Sequence, residues 1–214
     1  MTGDRLAYAA LNRPVLAAVP GTARRVLDVG CGTGALGAAV KARQPAEVVG
    51  LTYSEDEAAQ ARGPLDAVHV RDLNGFDPAG LGAFDCVVCS HVLEHLYWPD
   101  QFLRAARPLL APRGRLVVAV PNLLVWRSRL RLLAGRFRYT DGGTMDRTHF
   151  RFFDWHTARE LVAGAGYRLD GAAADGGFPL SRLLPGVGPA LDRLAVRAAP
   201  GLFGWQFIVT AGPG

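Results

Sequence analysis

Lysine is nearly absent. Lys41 is the single lysine in 214 residues, and every other fixed cation is arginine. Bias toward Arg, Ala and Gly is what GC-rich coding produces, so basic character alone does not identify a partner. Cysteine is scarce too, with Cys31, Cys86 and Cys89 as the full set. Three thiols, with no basic-then-apolar leader ahead of them, exclude a disulfide framework and predict a reducing, cytoplasmic setting. No run of about 18 apolar residues occurs, so no membrane-spanning helix is expected. Internal repeats and linkers are lacking as well. Half of the residues are hydrophobic, which excludes disorder, and the length suits one domain over 1–214 with a full core.

What charge there is lies unevenly. Residues 122–153 carry Arg127, Arg129, Arg131, Arg136, Arg138, Arg147 and Arg151 against Asp141 and Asp146. That stretch alone accounts for the formal surplus of +5.

The stretch around which the chain is organised is Val26-Leu27-Asp28-Val29-Gly30-Cys31-Gly32-Thr33-Gly34. Residues 26–29 read as a buried strand, apolar except for Asp28. Three alternate glycines make a turn without Cβ atoms, so backbone can touch a ligand. Residues 35–43 then read as a helix whose amino end faces that turn. Strand, glycine turn and helix form a nucleotide pocket at the carboxyl edge of a parallel sheet. The spacing Gly32-x-Gly34-x-x-Gly37 also fits a dinucleotide fingerprint, so a nicotinamide-dependent oxidoreductase is one alternative. Asp28 argues against it, because a carboxylate there repels a pyrophosphate. A ligand with a cationic end, such as S-adenosylmethionine, is welcomed instead.

Residues 26–34 resemble motif I of the class I S-adenosylmethionine-dependent methyltransferases. The likeness continues in the family's order through residues 48–57, 70–73, 84–95 and 109–121, and covers roughly residues 20 to 170. Phe84-Asp85-Cys86-Val87-Val88-Cys89-Ser90-His91-Val92-Leu93-Glu94-His95 most resembles the branch that includes ubiquinone-biosynthesis-type O-methyltransferases. The resemblance implies an α/β, Rossmann-like sheet of seven mostly parallel strands, helices on both faces and an antiparallel last strand. It implies S-adenosyl-L-methionine as cofactor, held by Asp28, Gly30, Cys31, Gly32, Gly34 and Ser90. The family's usual acid at the end of the second strand is replaced here by Thr52. Thr52-Tyr53-Ser54-Glu55-Asp56-Glu57 looks instead like the cyclopropane-fatty-acid-synthase branch, so Thr52 and Glu57 would share the ribose contact. Glu57 also completes a capping box with Ser54. By the same resemblance Asp72 accepts from the adenine amine, and the backbone N–H of Leu73 meets the ring.

The rest of the chain is read by pattern. Residues 4–19 form a helix bent or restarted at Pro14, either a packing helix or a lid (1–20) with Tyr8 or Arg13 near substrate. Strands are expected at 47–52, 67–70, 84–89, 115–120, 167–173 and 204–210. Asp100 opens a helix through Leu110, and Pro112-Arg113-Gly114 is a turn. Residues 122–153 are an arginine-rich insertion placed to roof the active site. Within it a helix over 123–133 would set Leu123, Trp126, Leu130 and Leu133 on one side and arginines on the other. Arg147 and His149 sit among aromatics and are candidates for buried roles. Asp154 caps a helix reaching Gly164. The leucines of 176–203 form one or two short amphipathic helices that would pack on the core, cover substrate, meet a partner or rest on a membrane surface.

Two metal patterns need weighing. Cys86-Val-Val-Cys89 puts its thiols on opposite sides of a strand, and no second pair exists. His91-Val92-Leu93-Glu94-His95 matches the H-x-x-E-H zinc pattern, but it leaves a buried strand of a nucleotide fold and Pro99 cuts any helix short. No metal is expected; the resemblance places His91 and His95 over the cofactor, and the alternative is that Glu94 and His95 cap and tie the loop.

Methyl transfer is an in-line displacement in which alignment of two reactants supplies roughly 7–11 kcal/mol. A base adds about 10²–10⁴-fold when the acceptor must lose a proton. His149 and His95 are the candidate bases. Arg147 and Arg138, with Tyr8, are the candidate substrate contacts, and the arginines suggest an anionic small-molecule acceptor; the branch resemblance implies methylation on oxygen, as in sugar or natural-product tailoring. A nucleic-acid methyltransferase would use the arginines on phosphates, but no Asn/Asp-Pro-Pro-Tyr target motif or recognition module is present, so no nucleic acid is expected. The chain is expected to act as a monomer or homodimer.

Overall fold

The computed structural model describes residues 11–183 and 186–214. Tyr8 and the first part of the expected N-terminal helix lie outside the described residues. The chain runs α1 (Arg13–Ala18), β1 (Arg25–Val29), α2 (Ala35–Arg43), β2 (Glu47–Thr52), α3 (Glu55–Ala61), β3 (Ala67–Val70), β4 (Phe84–Ser90), α4 (Pro99–Ala106), β5 (Leu110–Pro121), α5 (Trp126–Leu133), α6 (Thr157–Gly164), β6 (Tyr167–Gly176), α7 (Gly188–Ala198), α8 (Pro200–Phe203) and β7 (Gly204–Pro213). Short 3-10 turns occupy Leu93–His95, Arg107–Leu109 and Ser181–Leu183.

The seven strands form one sheet in the order β3-β2-β1-β4-β5-β7-β6. The first five are parallel, and β7 inserts antiparallel between β5 and β6. This is the seven-stranded, mostly parallel arrangement expected, with the last strand reversed. Parallel strands need both faces covered, and β4 shows how the sequence meets that need. Alternate side chains point to opposite faces. Val87 and Cys89 join one core cluster with Leu27, Leu51, Phe102 and Val162. Cys86 and Val88 join the other with Val26, Val48, Val15 and Val40. Helices α4 and α6 therefore cover one face, and α1 and α2 the other. Full burial of each such side chain contributes about 1.5–3 kcal/mol.

Several boundaries differ from the periodicity reading. Helix α4 stops at Ala106, and Arg107–Leu109 tightens into a 3-10 turn, because Pro108 has no N–H for the helical ladder. The expected turn at 112–114 is absorbed into β5. Phe84 pairs with Leu110 and Cys86 with Arg115, so β5 bulges against β4 there. Helix α1 begins at Arg13 with Pro14 in its first turn, and Asn12 caps it by accepting from the Val15 N–H at 3.3 Å. Asp154 does cap α6, taking the N–H groups of His156 and Thr157 at 2.8 Å each.

The insertion departs most. Helix α5 starts at Trp126 rather than Leu123, and its Leu130 and Leu133 are 58% and 85% exposed. Asn122 and Phe153 instead close the segment by a bridge across its base. Among the described leucines of 176–203, Leu180, Leu183 and Leu194 are exposed, while Leu191 and Leu202 are half-buried. Among the described residues no helix is long and apolar enough to cross a membrane.

Candidate active site

The glycine turn leaves β1 at the carboxyl edge of the sheet. Gly30 has φ +69° and a Cβ there would lie 2.4 Å from Val92 Cγ2, so any side chain is doubly excluded. Gly32, at φ +52°, has nothing among the described residues within 4 Å of its missing Cβ. The turn is thus tight on its inner side and open on its outer side, a cradle that a ligand can approach. Cys31 is buried, with burial pushing its thiol up to about 12, so it is an apolar filler and not a nucleophile. Cys86, also pushed up to about 12 by burial, and Cys89 lie in opposite core clusters, as their spacing requires.

Asp28 lies on the same face of β1 as Val26, beneath α2, and is 3% exposed. One carboxylate oxygen, Oδ2, has no hydrogen-bond partner among the described residues. Burial raises its pKa from an ordinary 3.8 to about 7, against a smaller pull downward from the Gly37 N–H. A buried carboxylate with an orphaned oxygen beside a glycine cradle suits a ligand with a cationic end.

At the end of β2 the Thr52 hydroxyl donates to Glu57 Oε2 at 2.6 Å. The Ser54 hydroxyl accepts from the Glu57 N–H at 3.3 Å, but the Glu57 carboxylate does not return to Ser54. It turns to Thr52, whose hydroxyl accepts from the Ser54 N–H at 3.2 Å. The capping box is therefore half made, and the acid missing from the strand end is supplied one helical turn later. Leu73 is buried at the end of β3, while Asp72 is exposed and takes the Asn74 N–H at 2.9 Å. Ser90 ends β4 on the same edge, half-buried, 3.5 Å from Asn12 Nδ2.

Beyond Ser90 the chain makes a sharp turn. His91 has φ +56°, a strained value for a residue with a Cβ. Its Nδ1 lies 3.1 Å from Glu94 Oε1 and its Nε2 2.9 Å from Gln206 Oε1, both within hydrogen-bond reach. Burial opposes charge on the ring, but the Glu94 carboxylate and Gln206 outweigh it, and the pKa is raised. The H-x-x-E-H zinc geometry is therefore not formed: Leu93–His95 is a 3-10 turn, and His91 faces away into a polar network. That network extends from Gln206 to Asn12, with Asn12 Nδ2 donating to Gln206 Oε1 at 2.8 Å, and to Asp175 Oδ2 at 3.0 Å. Sequence reasoning passed over Gln206 and Asn12. A glutamine in an otherwise apolar strand was the available signal.

His95 goes the other way. Its Nδ1 meets the Thr148 carbonyl at 3.2 Å, and its ring lies edge-on to His149 with centroids 4.7 Å apart. His149 is buried, as expected, and its Nδ1 meets the Thr144 carbonyl at 3.2 Å. Burial pulls its pKa below the ordinary imidazole value despite an opposing contribution from Glu94. It is neutral at neutral pH and can take a proton. Glu94, fully buried, ties this loop through its backbone carbonyl, which accepts from the N–H groups of Phe150 and Arg151 at 2.8 and 3.1 Å.

Arg147 does not have the buried role expected. Its side chain is 63% exposed and pairs with Asp141 at 2.7 Å. Arg138 is also exposed. Two other arginines of the insertion are structural: Arg151 donates twice to the Tyr97 carbonyl, and Arg129 to the carbonyls of Leu124 and Gly201.

A family model described as a methyltransferase domain matches residues 1–171. A ubiquinone biosynthesis O-methyltransferase of Caulobacter sp. (strain K31) is 31% identical over 139 residues, 59% of this chain and 53% of that protein. Another so named, from Sodalis glossinidius, is 35% identical over 105 residues, 46% of this chain and 42% of that protein. The chain spans about half the length of these curated relatives. A SAM-dependent methyltransferase from Archaeoglobus fulgidus superposes with TM-score 0.67 at 21% identity, covering 98% of this chain and 94% of that one. One from Mesorhizobium loti superposes with TM-score 0.65 at 18% identity, covering 94% and 97%.

Proposed function

The chain belongs to the methyltransferase-domain family, and we propose that it is an O-methyltransferase whose acceptor is a small anionic molecule. S-adenosyl-L-methionine is the cofactor. It supplies a methyl group on a cationic sulfur that leaves as a neutral thioether. The residues fit it. Gly30, Cys31, Gly32 and Gly34 would give the backbone cradle, Asp28 the carboxylate for its cationic end, and Thr52 with Glu57 the ribose contact. Asp72, Leu73 and Ser90 would complete the berth.

The observation that carries the O-methylation reading is the His95–His149 pair, with ring centroids 4.7 Å apart on the edge where β4 and β5 deliver their ends. A hydroxyl must shed a proton to become a good nucleophile, and the buried imidazole of His149, its pKa lowered by burial, is suited to take it, with His95 beside it. The concentration of arginine in 122–153 supports a carboxylate, phosphate or sugar nucleotide on the acceptor. The curated relatives' name, O-methyltransferase, points the same way.

The test is transfer from a deuterated methyl donor to a panel of hydroxylated acids, sugar nucleotides, neutral phenols and amines, read by mass spectrometry. Labelled methyl ethers of the anionic hydroxyl compounds are expected. Methylation of amines alone would sink the oxygen reading.

A further inference from the structure

We infer that the cavity between the end of β6 and helices α7 and α8 binds a phosphorylated sugar, and that this molecule is the methyl acceptor. The inference names the acceptor class, so it rests on the O-methyltransferase reading for that role, though not for the site itself. The cavity holds about 430 Å³, within the range of small-molecule sites. Trp155, Ala172, Ala174, Val196 and Pro200 give it an apolar wall. Arg193 and Arg197 line it as well, with the carboxylates of Asp175 and Asp192.

Each kind of lining group matches one part of such a ligand. Arg193 and Arg197 lie one helical turn apart on α7 and are exposed. Among the described residues neither guanidinium has a hydrogen bond or an ion pair, whereas Arg147 of the insertion is spent on Asp141. Two cations at this spacing repel each other, and a phosphate between them replaces that repulsion with charge-assisted bonds. Asp175 and Asp192 are half-buried, and one oxygen of each is engaged. Asp175 Oδ2 accepts from Gln206 Nε2 at 3.0 Å, and Asp192 Oδ1 accepts from the Phe178 N–H at 2.7 Å. The second oxygen of each has no partner among the described residues and, unlike the orphaned oxygens of Asp28 and Glu94, is not sealed from solvent. A carboxylate only accepts, so these oxygens suit hydroxyl groups and disfavour a ligand that is anionic throughout. Trp155 is held edge-on against Phe207, with centroids 5.4 Å apart. Its indole and the alanine methyls offer apolar surface to the C–H face of a sugar ring.

The sequence shapes this cavity through Gly176 and Gly177. A Cβ on Gly176 would strike the Phe203 carbonyl, and one on Gly177 would lie 2.8 Å from Asp192 Oδ1. Without side chains there, α8 and α7 close against the end of β6. The position also suits an acceptor. Strands β5 and β6 are both antiparallel to β7, so they end on the same edge of the sheet, two strand spacings or about 10 Å apart. Asn122, just past the end of β5, donates through Nδ2 to the carbonyls of Gly201 and Gly204 at 3.0 and 2.7 Å, which ties that edge to α8. On the other side Asp175 is separated from His91 by the single side chain of Gln206.

The whole chain, with and without S-adenosylhomocysteine, is screened by saturation-transfer NMR and calorimetry against hexose phosphates, uridine diphosphate hexoses, the free hexoses and inorganic phosphate. At least one phosphorylated sugar is expected to bind, more tightly than its free sugar, and the tighter of the hexose phosphate and the sugar nucleotide identifies the form. Replacing Arg193 and Arg197 together with glutamine should weaken binding at least about tenfold and leave S-adenosylhomocysteine affinity unchanged. Ala173→Phe, which fills the cavity and keeps both arginines, should weaken it as much; circular dichroism checks the fold of each variant. Wild-type protein that binds S-adenosylhomocysteine but no phosphorylated sugar overturns the site, as does undiminished binding in the arginine variant or a free sugar bound as tightly as its phosphate. Methyl ethers formed only on unphosphorylated acids would also overturn it while sparing the O-methyltransferase reading. Sugar phosphate binding accompanied by methylation of amines alone would keep the site and defeat that reading.

Discussion

The Thr52 hydroxyl and the Glu57 carboxylate, on adjoining elements, are joined at 2.6 Å. The pair rebuilds in two pieces the single acid that this fold usually places at the end of its second strand. If it holds the ribose of the cofactor, Glu57→Ala and Thr52→Val should each weaken S-adenosylhomocysteine binding about tenfold, the scale of a hydrogen bond to a charged group. The double variant should lose less than the product of the two. Calorimetry reads this, and unchanged affinity in both single variants would move the ribose elsewhere.

Asp28 predicts a pH signature. Its carboxyl is raised from 3.8 to about 7 in the folded chain, so between those values the folded state holds a proton that the unfolded state has lost. Its contribution to stability is therefore full below about pH 4 and is lost as pH rises through about 7. The whole span amounts to about 4 kcal/mol. Chemical denaturation across pH 5 to 8 should show wild type losing stability relative to Asp28→Asn. A cationic ligand should reverse the shift, so donor binding near pH 7 should release a fraction of a proton. Calorimetry in buffers of different ionisation heat measures that release, and Asp28→Asn should abolish it.

Gln206 is fully buried and links His91, Asn12 and Asp175. Gln206→Leu should destabilise the chain by about 1–3 kcal/mol, because three polar partners lose their bonds together. Denaturant melts test this. A variant as stable as wild type would show that water replaces the amide at no cost.

His149→Ala should slow methyl transfer at least tenfold and leave S-adenosylhomocysteine affinity within about twofold. The ring is the group placed to accept the acceptor's proton. Full turnover in the variant would remove His149 from the reaction.

Charge on the insertion can be tested separately. Replacing Arg138 and Arg147 with glutamine should raise KM for an anionic acceptor several-fold, with less effect at high salt because both are exposed. A neutral acceptor should be indifferent. Equal losses for both acceptors would reassign these arginines to structure.

Where the reading of the chain failed, the failures have a common cause. Leu130 and Leu133 sit at helical spacing, yet that face of α5 is open, since periodicity tells which residues share a side and not whether anything packs there. Arg147 lies two residues from the buried His149, yet its side chain is exposed and paired with Asp141. Neighbours in a loop share no fixed face.

The amino-acid order by itself determined the β1–turn–α2 unit and the two-sided burial of β4, because alternation and glycine act within a few residues, while the sheet with its reversed last strand was legible only through the family resemblance. Only the tertiary structure decided which polar groups meet. Asn12 reaches Gln206 across 194 positions, and His95 reaches Thr148 across 53. Such contacts are set by where strand ends arrive at one edge of a sheet, and no local pattern encodes that distance. The meeting of the His95 and His149 rings is of this kind, and no pattern within 91–95 announces it.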